Sequence, residues 1–100
     1  MILETYDKQP YDDKDYDVDY TDWLVSGDEV ASATATVECT TTPADEELEA
    51  YQVDTSGSGV KVWVRGGTDG ESYKVTIRTE TSNNPARKDE CELVFNVKNT

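Results

Sequence analysis

Between Val60 and Thr79 the chain alternates twice. Val60, Val62 and Val64 share one side of a first run, and Tyr73, Val75 and Ile77 share one side of a second. Gly66, Gly67 and Gly70 lie between them. Period two is the repeat of a β-strand, whose successive side chains point to opposite faces, so each run carries one face fit for burial. The two runs and their glycine-rich turn commit this part of the chain to a sheet.

The same alternation recurs elsewhere. Tyr16, Val18 and Tyr20 oppose a row of aspartates. Ala31, Ala33, Ala35, Val37 and Cys39 oppose Ser32, Thr34, Thr36 and Glu38, and Cys91, Leu93, Phe95 and Val97 oppose Glu92, Val94, Asn96 and Lys98. A weaker strand spans Leu48 to Val53. Ser56–Gly59 and Asn83–Lys88 read as turns, and Pro43 keeps residues 40–47 out of a sheet interior, where a single helical turn would fit. Six to seven short strands with a turn about every ten residues predict an all-β, immunoglobulin-like β-sandwich. Tyr73, opening a strand after a glycine turn, resembles the tyrosine corner of such sandwiches; Val75 stands where an immunoglobulin domain has its second cysteine. The expected division is an extended acidic N-terminal arm, residues 1–15, and a sandwich domain, residues 16–100. The first strand, from Tyr16, is expected at a sheet edge, and Trp23 is expected to plug one end of the sandwich.

Composition narrows the partners. A net charge of −13 disfavours nucleic acid and anionic membranes, which carry the same sign. Asp7, Asp12, Asp13, Asp15, Asp17, Asp19 and Asp22 crowd the first quarter, so something must hold the arm if it is to be ordered. No apolar run approaches the roughly 20 residues that cross a bilayer, and the N-terminus lacks the order of a signal peptide. Assembly in a cytoplasm is the simplest expectation. Cys39 and Cys91 then read as buried free thiols, with a disulfide as the alternative.

Chemistry finds little to work with. There is no histidine, the commonest general base and nitrogen ligand. The glycines of Arg65–Gly70 lack the Lys-Ser/Thr and helix of a phosphate cradle. No enzyme activity, cofactor or catalytic residue is expected. Calcium is the serious alternative for Asp13, Asp15, Asp17 and Asp19. However, Val18 and Leu24 occupy the places of the glycine and glutamate of an EF-hand loop, and alternate aspartates on a strand lie about 7 Å apart. No metal site is therefore assigned, and the four aspartates are expected to be solvated edge charge or a docking surface for a basic partner. If Val60, Val62 and Val64 face inward, Lys61, Trp63 and Arg65 face outward. An exposed tryptophan between two cations has the composition of an interface hot spot; the alternative is an indole covered by the stems of Lys61 and Arg65. Trp63, Lys61, Arg65, Asp13, Asp15, Asp17 and Asp19 are the expected partner-interface residues.

Four segments carry a family resemblance. They are Asp17-Val-Asp-Tyr-Thr-Asp-Trp-Leu24, Gly27-Asp-Glu-Val-Ala-Ser-Ala-Thr34, Val62-Trp-Val-Arg-Gly-Gly-Thr68 and Tyr73-Lys-Val-Thr76. In this order they resemble the bacteriophage fiber-tail adaptor proteins, small virion proteins, over roughly residues 16–98. The resemblance implies a non-catalytic immunoglobulin-like module linking tail fibers or neighbouring subunits to the phage tail or connector. It implies assembly in the bacterial host cytoplasm and a place in the virion tail, in a homo-oligomeric ring that would order the arm. The partners are then other virion proteins, met by strand addition at a sandwich edge or by seating Trp63 in a pocket. A capsid decoration or head-to-tail joining protein is the alternative within that class. A carbohydrate- or cell-surface-binding module, with or without calcium, is the alternative from another class.

Overall fold

The computed structural model describes residues 1–100. It is all-β, with seven strands: β1 (Ile2–Lys8), β2 (Asp13–Asp19), β3 (Val30–Cys39), β4 (Leu48–Thr55), β5 (Gly59–Gly66), β6 (Ser72–Thr81) and β7 (Lys88–Val97). One sheet has the order β1-β7-β6-β3 and the other the order β2-β5-β4. Every pairing is antiparallel except that of β1 with β7, which is parallel. The two sheets face each other across a shared core.

The alternating runs build that core. Val60, Val62 and Val64 of β5 meet Tyr73, Val75 and Ile77 of β6 and Leu93, Phe95 and Val97 of β7, all buried. Val18 of β2 and Tyr20 just after it join from its edge, with Tyr16 partly buried. Each such side chain is worth about 1.5–3 kcal/mol on burial, so the alternating valines supply much of the driving force for pairing the sheets. Cys39 and Cys91 are buried and unbridged.

The turn between β5 and β6 is fastened at the place where the glycines fall. Tyr73 is fully buried, and its hydroxyl accepts from the Thr68 backbone N–H at 2.8 Å while donating to Asp45 Oδ1 at 2.8 Å. The tyrosine therefore ties the β5–β6 turn to the loop between β3 and β4. Gly66 has φ +80°, and a Cβ there would stand 2.3 Å from the Glu47 carbonyl oxygen. Only glycine fits that approach. The 40–47 loop holds a turn closed by Asp45 N–H to the Thr42 carbonyl, with Pro43 second in the turn; Pro favours that position of a type I or II turn, and no helical turn forms.

Trp23 lies where the β2–β3 connection meets the β6–β7 hairpin. It packs against the core beside Tyr20, and the Arg87 guanidinium sits 4.3 Å above its ring and donates to its carbonyl.

Three features depart from the alternation pattern. Residues 1–15, expected as an arm beside the sandwich, instead supply β1 and the start of β2. Tyr6 of β1 stacks on Phe95 at 5.3 Å and meets Tyr16 at 4.6 Å. Lys8 is buried, and its ammonium donates to the carbonyls of Gly66 and Gln9 at 2.6 and 2.8 Å. With tyrosine and lysine at its inward positions, β1 carries no apolar period. In β3 a register shift between Val30 and Ser32 reverses the parity, so Val30 is buried and Ala31 is exposed, against the expected inward place of Ala31. In β4 a second shift between Ala50 and Gln52 lets both Ala50 and Val53 reach the core and turns Tyr51 and Gln52 outward together. A bulge adds one residue against none on the partner, which is why the faces exchange.

Candidate functional site

The outer face of the β2-β5-β4 sheet gathers the residues that stand apart in sequence. In the β2–β5 ladder Asp13 lies opposite Arg65, Asp15 opposite Trp63, Asp17 opposite Lys61 and Asp19 opposite Gly59. On the other side of β5, Glu49, Gln52 and Asp54 of β4 lie opposite Arg65, Trp63 and Lys61. Both expected groups, the aspartates of β2 and the Lys61-Trp63-Arg65 row, are thus one surface. Parity and register together put them there, and only parity is readable in one strand.

The Tyr20 N–H donates to the Ser58 carbonyl at 2.8 Å. Tyr20 and Ser58 continue the β2–β5 register, so alternate residues back along β2 (Val18, Tyr16 and Lys14) share the hydrogen-bonded class. The four aspartates fall in the other class, where cross-strand side chains approach most closely. Lys61 accordingly pairs with Asp15 at 2.8 Å and with Asp17 at 3.7 Å. The hydrogen bond from Lys61 holds the Asp15 carboxyl below its usual range, and the same bond raises the Lys61 ammonium. Asp19 is held low first by the Thr21 hydroxyl and then by the Thr21 backbone N–H. Arg65 pairs with Glu49 at 3.2 Å. Such exposed pairs add little to folding stability.

Trp63 sits at the centre of the face and is half-buried rather than exposed as expected. It is outside the core cluster. Its indole Nε1 is covered and has no hydrogen-bond acceptor. The Arg65 guanidinium lies 4.1 Å over the ring of Tyr51, not over the indole, and the Tyr51 hydroxyl reaches across β5 to donate to Asp13 Oδ1. The bond to Asp13 raises the Tyr51 hydroxyl above its usual value. Tyr51 is a member of this face that alternation does not reveal. The broken period of Leu48, Ala50 and Val53, two steps and then three, is the signal that could have found it.

The opposite outer face, on β3, β6 and β7, is balanced. Lys74 pairs with Glu38, Arg78 with Glu90 and Lys88 with Glu80. The β2-β5-β4 face sets Lys61 and Arg65 against Asp13, Asp15, Asp17, Asp19, Glu49 and Asp54. The acidic excess of the chain therefore has a side. No helix of the chain is long and apolar enough to cross a membrane.

The family model described as Podophage GP4 fiber-tail adaptor protein gp77 matches residues 8–96. The matched span begins at the last residue of β1 and ends within β7. No curated protein matches the chain.

Proposed function

The chain belongs to the podophage GP4 fiber-tail adaptor family, and on that premise we propose that it is a structural, non-catalytic subunit of a phage tail. In this reading it joins tail fibers, or neighbouring subunits, to the tail or connector through protein–protein contacts, in a ring of copies assembled in the host cytoplasm. We read the sandwich as immunoglobulin-like. Strands β2-β5-β4 take the places of B-E-D and β7-β6-β3 those of G-F-C in the immunoglobulin order, with β1 added beside β7.

The docking surface in this proposal is the outer face of β2-β5-β4, with Trp63 as its anchor and Lys61, Arg65, Asp13, Asp15, Asp17 and Asp19 around it. The observation that carries it is the unpaired Nε1 of Trp63. A covered N–H without an acceptor costs about 1–3 kcal/mol, and a tryptophan of the core is normally placed to avoid that. At the centre of an outer face the cost is recovered when a partner supplies an acceptor and displaces the cover. Aromatic residues in the middle of a polar rim are also where binding energy concentrates.

The test is incorporation. Phage carrying Trp63→Ala, or Asp15→Asn, Asp17→Asn and Asp19→Asn together, is purified and the subunit is counted per particle by quantitative mass spectrometry. The isolated variants are melted alongside. The expected result is folded protein missing from particles. Wild-type copy number in both variants would remove this face from the function.

A further inference from the structure

We infer that the free edge of β2 is a docking slot for an extended segment of another protein in which basic and apolar residues alternate. This deepens the adaptor reading by naming the partner's chemistry, and it rests on that reading for the partner's place in a virion.

Four strands stand at sheet edges: β1 and β3 in one sheet, β2 and β4 in the other. Register shifts break β1, β3 and β4, whereas β2 pairs with β5 without interruption from Asp13 to Asp19. Bulges are a standard way to blunt an edge against strand addition, so β2 is the one edge left regular. β3 and β4 also approach each other along their side of the sandwich, which partly shields both edges.

The backbone of β2 faces the open side in a definite pattern. Residues of the hydrogen-bonded class, such as Tyr16 and Val18, spend their N–H and C=O on β5. The N–H and C=O groups of Asp13, Asp15, Asp17 and Asp19 therefore point away from β5, and no turn or loop backbone bond uses them. An incoming strand would find four such donor–acceptor pairs spaced about 7 Å apart.

Side chains then select the strand. Residues paired with the four aspartates fall on the acidic outer face, where lysine or arginine is favoured and an acid is repelled. The residues between them fall inward, beside Tyr16 and Tyr6, which are only partly buried. A second copy of β2 would set aspartate against aspartate, so the slot rejects itself. β5, which fills the other side of β2, already has the required pattern: Lys61, Trp63 and Arg65 outward, Val60, Val62 and Val64 inward. The partner segment repeats the pattern of β5.

The probe is the acetylated, amidated heptapeptide Lys-Val-Lys-Val-Lys-Val-Lys, added to the full-length chain. Amide hydrogen exchange is followed by NMR, and affinity is measured by calorimetry. Strand addition slows exchange at Asp15 and Asp17 at least about tenfold. The same peptide N-methylated on its lysines, whose N–H groups would face β2, fails to do so. Asp17→Pro removes one edge N–H without touching the β5 ladder, a position where an edge strand tolerates proline; it should fold as wild type and bind the peptide at least about tenfold more weakly. Unchanged exchange at Asp15 and Asp17, equal binding of the N-methylated peptide, or no binding at millimolar peptide each overturns the slot. If the slot fails while Trp63→Ala still leaves particles without the subunit, the docking face stands and only the edge is lost.

Discussion

Replacing Tyr73 by Phe deletes one oxygen and little volume, so it isolates the clamp between the β5–β6 turn and the 40–47 loop. The hydroxyl is fully buried and makes two bonds of 2.8 Å. Without it the Thr68 N–H has no acceptor. Asp45 loses one donor but keeps the Glu47 N–H at 2.9 Å and is half-exposed, so water compensates much of its loss. Thr68 is itself exposed, so water reaches part of the freed N–H, and the cost falls at the lower end of the range for an orphaned donor, about 1 kcal/mol. For a domain of this length 1 kcal/mol shifts Tm by about 4–8 °C, so Tyr73→Phe should melt roughly 4–8 °C lower. Thermal and urea unfolding followed by circular dichroism measure it, with the m-value unchanged because the same surface is exposed. Tyr51→Phe, which deletes an exposed hydroxyl bond to Asp13, is the control and should leave Tm where it is. A loss below about 0.5 kcal/mol for Tyr73→Phe, the range of ordinary surface substitutions, would show that the corner does not hold the turn.

Gly66→Ala should destabilise by at least about 2 kcal/mol, because a positive φ and a carbonyl 2.3 Å from the new Cβ oppose it together; urea unfolding reads this directly. Both thiols are about 2% exposed, so Ellman's reagent should label neither Cys39 nor Cys91 in the native protein and both in denaturant. Acid should unfold the chain in a set window. Asp45 and Glu71 are held below their ordinary values of 3.8 and 4.5, first by the hydroxyls of Thr68 and Thr41 respectively. A folded-state value below the unfolded one stabilises above the ordinary range and is lost as pH falls through the depressed value. From pH 7 down to about 5, relief of repulsion in a chain of net charge −13 opposes any loss. Tm measured against pH should therefore hold or rise to about pH 5 and fall below about pH 4.

The faces of β2, β5, β6 and β7 were legible because alternation is written residue by residue. Val60, Val62, Val64, Tyr73, Val75, Ile77, Leu93, Phe95 and Val97 occupy the inward places that their parity predicts. The free, buried state of the two cysteines and the position of Trp23 at one end were legible for similar reasons. β1 was not, because its inward residues are Tyr6 and Lys8 and its partner lies some ninety residues away on β7. Nor was Tyr51, whose face depends on a bulge that only the pairing with β5 reveals.

By itself the sequence determined that this is a sheet protein, which side of most strands is buried, and that Lys61, Trp63 and Arg65 face out. These are local properties, fixed by the two-residue repeat of an extended backbone. The tertiary structure decided which residues meet across strands. It joined Asp13, Asp15 and Asp17 to Arg65, Trp63 and Lys61, brought Tyr51 over β5, and left β2 as the one regular edge. Register and edge position depend on partners distant in the chain, and one residue of slip exchanges the two faces of a strand. That is why each half of the β2-β5-β4 outer face was readable alone and their union was not.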